Sequence, residues 1–292
     1  MQDLSFAAFF EQFISAIGKG LPLFMGTLIL LWMARFIRER TSTYNENKQL
    51  FVADNHAVGL AAAGYYIGIL IALTGVLAGP SLGWKIDMRD CAVYGIIAIL
   101  FQNIASWSAD KFILKEFNID DELIRDKNKG TAWTLFGIYF ATGMVVRGSI
   151  MGGTSEIVPG LVSSLVYFVL SQLVLIAGSY FYRLMTDYDF HKEIEDDNIA
   201  AGLAFGGFVS AVGVIIGHAS GDSLTLFDIA MFFSWTIIGF LFLWGTESIV
   251  VKYILVPGHN VSKEIQADRN ENAAWMLVVG YQAVAWVFVL AV

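Results

Sequence analysis

Four asparagines, Asn55, Asn128, Asn198 and Asn270, each follow an aspartate by one or two residues (Asp54, Asp126, Asp197, Asp268), at intervals of 73, 70 and 72 residues. Such groups can do two kinds of chemistry. At a helix start the side-chain oxygen accepts an orphan backbone N–H, and a carboxylate is favoured by the positive end of the helix dipole. Drawn together into a ring, the same carboxamides and carboxylates could offer oxygen ligands to cations at a mouth. Capping is the first reading, because an apolar run follows each asparagine.

Gln102 with Asn103, and Ser171 with Gln172, lie near the middle of two other apolar runs. Polar groups at that depth need partners, so they must face other helices or water. They serve either as interhelical hydrogen-bonding groups or as the lining of a polar path. Glu247 and Asp110 each lie five residues before a lysine, Lys252 and Lys115. That is about 8 Å along a helix, which favours snorkelling to the interface over proton relay. Asp90 reads as an N-cap.

His56, His191, His218 and His259 form no ligand-spaced cluster, although His56 and His191 lie near Asp54, Glu193, Glu195, Asp196 and Asp197. No metal and no cofactor is expected. His218, Ser220 and Asp222 include the residue types of a hydrolase triad, but a triad is defined by geometry across a fold. With no zinc-protease, nucleophile-elbow or phosphate-loop motif present, no catalytic residues are assigned and an enzyme is not expected.

The elements that must position these groups are membrane helices. The chain is 57% hydrophobic and 15% charged over 292 residues, with a mean hydropathy of +0.63, and its apolar runs approach the roughly 20 residues a bilayer requires. The runs are continuous and not alternating, which excludes a β-barrel. Cys91 is the single cysteine, so there is no disulfide framework. A net charge of −8 without a basic stripe excludes nucleic acid as a partner. The first 19 residues form no signal peptide by pattern. Leu4, Phe6, Phe10, Phe13, Ile14 and Ile17, with polar Asp3, Glu11 and Ser15, read as an amphipathic interfacial helix.

The expected fold is all-α: a polytopic bundle of eight spans at 20–38, 55–78, 91–113, 130–150, 158–182, 199–218, 226–251 and 272–291. The odd-to-even connections are long and charged. The even-to-odd ones, such as Gly79–Gly83 and Met151–Ser155, have turn chemistry. Of the 18 Lys and Arg, all but Lys19, Lys85, Arg89 and Arg147 fall on the long connections. The positive-inside rule places those connections in the cytoplasm and both termini outside. Trp84, Trp107 and Trp244 fall near span ends, as interfacial aromatics do.

Small residues follow the asparagines at fixed offsets: Gly59, Ala132, Gly202 and Ala274 four residues on; Gly64, Gly137, Gly207 and Val279 nine on; Gly68, Ala141, Ala211 and Ala283 thirteen on. The pairs Gly64/Gly68, Gly137/Ala141 and Gly207/Ala211 are small-xxx-small seams that let backbones approach. The even spans should therefore pack on two faces and the odd spans lie at the periphery. Val279 breaks the seam, and the last unit is expected to pack differently. All four units enter the membrane in one sense, giving parallel two-helix repeats. The halves match more closely than their parts, as Asp54–Ala61 does Asp197–Ala204. The chain thus divides into an N-terminal segment 1–19 and two four-span repeats, 20–150 and 158–292.

A two-span unit with a charged connection, an Asp-Asn start and a glycine-rich second helix resembles the YjfL-like bacterial inner-membrane family, domain of unknown function 350, in tandem duplicate. The resemblance implies a multi-pass protein of the bacterial inner membrane and hints at an envelope or membrane-stress role. It implies no activity, catalytic residue or cofactor. The expectation is a non-enzymatic component that docks a soluble partner on its cytoplasmic connections. The rival is an ion or small-solute channel or transporter with a polar path between repeats. Lipid is the certain partner, and a homo-oligomer stays open.

Overall fold

The computed structural model describes residues 6–77, 81, 83–150, 157–221 and 223–292. The turns expected at 79–83 and 151–155 fall mostly outside these residues, as do Asp3, Leu4 and Asp222. Every regular element among the described residues is helical. In chain order they are α1 (Phe6–Thr41), α2 (Glu46–Phe51), α3 (His56–Leu77), α4 (Trp84–Ser108), α5 (Ile119–Ile124), α6 (Lys129–Ile150), α7 (Ile157–Met185), α8 (Phe190–Glu195), α9 (Ile199–Ala219), α10 (Leu226–Gly245), α11 (Val261–Gln266) and α12 (Glu271–Ala291). α1 is unbroken, so residues from Phe6 on continue directly into the first apolar run.

Among the described residues, seven helices are long and apolar enough to cross a membrane. α6 is as long as α3 but falls short in apolarity, because Thr131, Thr134, Thr142, Ser149 and Arg147 interrupt it. Three of its hydroxyls are answered inside the helix: Thr134 donates to the Gly130 carbonyl (3.1 Å), Thr142 to that of Ile138 (2.9 Å) and Ser149 to that of Val146 (3.0 Å), while the buried Thr131 hydroxyl has no partner among the described residues. Those three bonds help a polar-tinged helix to occupy the middle of the molecule. Sequence pattern also missed that α4 and α10 end in wider π turns, Ala109–Ile113 and Thr246–Leu255. Asp110 and Glu247 sit in these turns at corresponding places in the two halves.

The core is a row. α3 packs on α6, α6 on α9 and α9 on α12, and these are the most extensive helix contacts in the molecule. α9 is buried along nearly its whole length, whereas α1 and α10 present long exposed apolar faces. A Cβ added at Gly64 would meet the Phe136 backbone, and one at Gly137 the Gly206 backbone, both inside 3.0 Å. At Gly207 it would meet the Val278 side chain. Val279 stands at the equivalent place on α12 but is 46% exposed. At that exposure the side chain meets no close backbone, so bulk there costs little in packing.

Four short helices, α2, α5, α8 and α11, precede the four core helices. Each is six residues long and is capped by an Asx side chain: Asn45, Asn118, Asp189 and Asn260. They gather the charged connections at one end of the row, where the starts of α6 and α9 lie together, Gly130 against the Asn198 carbonyl.

Candidate functional site

The four asparagines are caps. The Oδ1 of Asn55 accepts from Ala57 and Val58 N–H, that of Asn128 from Thr131, that of Asn198 from Ala201 and that of Asn270 from Asn272 and Ala273. The residue before each asparagine (Asp54, Lys127, Asp197, Arg269) has φ between 46° and 55°. These are left-handed, non-glycine positions that aim the side chain at the helix start. The carboxamide nitrogens do a second job. Within the unit they donate to Gln49, Glu122, Glu193 or Glu264 of the short helix. Between units, Asn55 donates to the Leu123 carbonyl (2.8 Å), Asn128 to that of Ile194 (2.6 Å) and Asn198 to that of Ile265 (2.9 Å). Asn270 makes no inter-unit bond among the described residues.

This difference gives a prediction. Asn128→Ala removes a cap, worth about 1 kcal/mol, and also one donor to the Ile194 carbonyl, which keeps the Asp197 N–H (3.1 Å), so the further loss is about 0.5–1.5 kcal/mol. Asn270→Ala loses the cap and only its in-unit bond. Thermal midpoints in detergent should fall clearly further for Asn128→Ala; equal falls would show that the inter-unit bonds carry no stability.

The aspartates are less uniform. Asp197 accepts from the Lys129 N–H (3.0 Å), and Asp126 pairs with Arg125 (2.7 Å), whose hydrogen bonds hold its carboxyl below the usual range. Asp54 and Asp268 are exposed. Burial raises Glu122, with the Asn128 amide pulling the other way; Gln49 fills the same place uncharged in the first unit.

A polar pocket of about 360 Å3 lies in the first half at the short-helix end. Arg38, at the end of α1, is 6% exposed and pairs with Glu46, itself 5% exposed. The guanidinium lies 4.7 Å from the Tyr65 ring centroid and 6.0 Å from that of Tyr139. Asn103 donates to the Tyr65 hydroxyl (2.8 Å) and accepts from Thr41 (3.2 Å). Ser106 and Tyr139 share a hydrogen bond of 2.9 Å. Tyr44, in the connection, is pushed up to about 12 by burial.

Counting from the caps of the short helices, Arg38, Tyr44 and Glu46 correspond to Tyr182, Tyr188 and Phe190; counting from Asn55 and Asn198, Tyr65 corresponds to Phe208. The second half stacks rings where the first holds charges: Tyr182 lies 5.3 Å from Phe190 and 5.0 Å from Phe208. Its own cavity, about 590 Å3, lies further along the same end, walled by Asp187, Glu247, Lys252 and His259 among others. Glu247 there accepts from Ser262 (2.6 Å).

Of the four mid-span polar residues, only Asn103 lines the pocket. Gln102 fills the notch left by Gly68 and donates to the Tyr139 carbonyl (3.0 Å), its Oε1 unpaired. Ser171 and Gln172 are buried in α7 with Oγ and Nε2 unpaired. No hydrogen bond joins the two pairs among the described residues. Arg38 and Glu46 were not singled out from sequence. The available signal was that Arg38 continues the Leu30–Ala34 stripe at four-residue spacing, both buried.

A family model described as Domain of Unknown Function (DUF350) matches the chain twice in tandem, over residues 12–150 and 156–292. No curated protein and no solved structure matches it.

Proposed function

Because the chain belongs to the DUF350 family as a tandem duplicate, a family whose description assigns no activity, we propose a function from its own residues. It is a non-enzymatic component of a bacterial inner membrane that docks a soluble partner at the short-helix end of its core row. In this reading all eight long helices span, in four parallel two-helix units. The long connections face the cytoplasm and the termini the outside, in keeping with where Lys and Arg concentrate.

One observation carries the docking reading. Polar and charged side chains gather in two cavities at a single end, while the row between them is closed by backbone-to-backbone contact at Gly64, Gly137 and Gly206. A transport path needs polar groups through the depth of the bundle. Buried, unpaired Ser171 and Gln172 are what favour that second reading.

A photo-crosslinking residue in place of Asp120, at the pocket wall, tests it in intact cells. Expected is one soluble protein joined near one-to-one, and lost when Arg38→Tyr and Glu46→Phe give the first half the second half's rings. No adduct, together with ion flux in liposomes that Asn103→Leu abolishes, would replace docking by transport.

A further inference from the structure

Away from the pocket, three side chains from both halves converge: Glu116, in the connection after α4, and Asp189 and His191, at the start of α8. One ligand atom from each lies within 4.8 Å of the others. His191 is 6% exposed. Its Nε2 is 2.8 Å from the Ile113 carbonyl, an atom that only accepts, so this nitrogen carries the proton. The other nitrogen, Nδ1, is then a bare lone pair. It is buried without a hydrogen-bond partner and lies 3.9 Å from Glu116 Oε1 and 4.0 Å from Asp189 Oδ1.

A lone pair facing two carboxylates is repulsive unless the ring takes a second proton there or a metal cation lies among them. A histidine that donates one N–H to a backbone carbonyl and turns the other nitrogen toward carboxylates is oriented as metal-ligating histidines are. We propose that Glu116, Asp189 and His191 bind a first-row divalent cation. Imidazole with two carboxylates suits such ions, and zinc bonds of about 2.0–2.2 Å require the donors to draw together by roughly 1 Å. Two donors lie on exposed connections, which leaves them room to move.

Arg183 is the competitor. Its guanidinium is 3.6 Å from Asp189 and 4.0 Å from Glu116, on a half-exposed side chain free to swing toward water. Counted from the short-helix caps, Arg183, Asp189 and His191 correspond to Glu39, Asn45 and Asn47 in the first half, which therefore lacks the aspartate and the histidine. A bound ion would brace the second unit against the third.

The test is titration of the chelator-stripped full chain, in detergent, with zinc chloride alone. Expected is one zinc per chain at micromolar concentration, with a rise in thermal midpoint. His191→Ala and Glu116→Gln should each weaken binding roughly tenfold or more, and Arg183→Gln should strengthen it by removing the competing charge. Glu116 is exposed, so its variant answers the question even if His191→Ala fails to fold. Zinc uptake no greater in the wild type than in Glu116→Gln, or weaker uptake in Arg183→Gln, would overturn the site. Zinc on exposed His56 or His259 would appear as the first of these.

Discussion

Arg38→Ala is expected to destabilise the protein by about 3–5 kcal/mol, the range for breaking a buried ion pair by removing one partner. The cost comes less from the lost attraction than from what stays behind. Glu46 would remain buried with only the Tyr66 hydroxyl, at 3.4 Å, as a hydrogen-bonding neighbour. Tyr65 would also lose the guanidinium over its face, worth roughly 0.5–2 kcal/mol. The second half shows how the same position is filled without charge. Arg38→Tyr with Glu46→Phe should therefore recover most of the loss, as apolar replacement of buried ion pairs commonly does. Thermal midpoints measured by fluorescence-detected size exclusion in detergent would read all three. If Arg38→Ala melts within about 1 kcal/mol of the wild type, Glu46 has found water and the pocket is wetter than its geometry indicates.

Gly137→Ala should be at least as damaging, by about 3 kcal/mol or more, since overpacking of this kind reaches backbone that has no rotamer to change. The new methyl would meet the Gly206 carbonyl group and Cα inside 3.0 Å. The contact does not yield locally, because Gly202 against Gly130, Gly213 against Ala141 and Gly217 against Met144 fix the same seam along its length. Gly59→Ala is the internal control. Its methyl would meet only the Leu50 side chain, at 3.5 Å, and the helix would gain up to about 1 kcal/mol from the better helix former. The same chemical change should thus have opposite signs at the two sites. Similar midpoints for both variants would mean that the α6–α9 contact is softer than it looks.

The two outcomes separate what each part of the molecule does. Core glycines hold a rigid row, and the short-helix end carries the groups that a partner or solute could recognise. A variant that removes the proposed crosslinked adduct without moving the midpoint would belong to that end.

Helices, their starts and the small-residue seams were legible because each is local. A helix places offsets nine and thirteen from its asparagine on one face whatever surrounds it, and an asparagine before an apolar run has one dominant local use. Even the exception at Val279 was visible as a break, though not that the side chain there is nearly half exposed. The tandem family resemblance rested on the same local features.

Pairing across the fold was not legible, since it depends on which helix each face meets. Composition left α6 short of the apolarity of the other long helices' best stretches, and only the tertiary structure placed it between α3 and α9. The amide nitrogen of Asn128 reaches Ile194, Arg38 meets Glu46 under Tyr65, and Glu116 meets His191 across the junction of the halves. Each of these lies in a separate piece of local structure, and nothing in a helix's own period says what it will touch. The sequence by itself determined membrane helices, repeat and caps; the tertiary structure alone decided which charges are buried, and beside what.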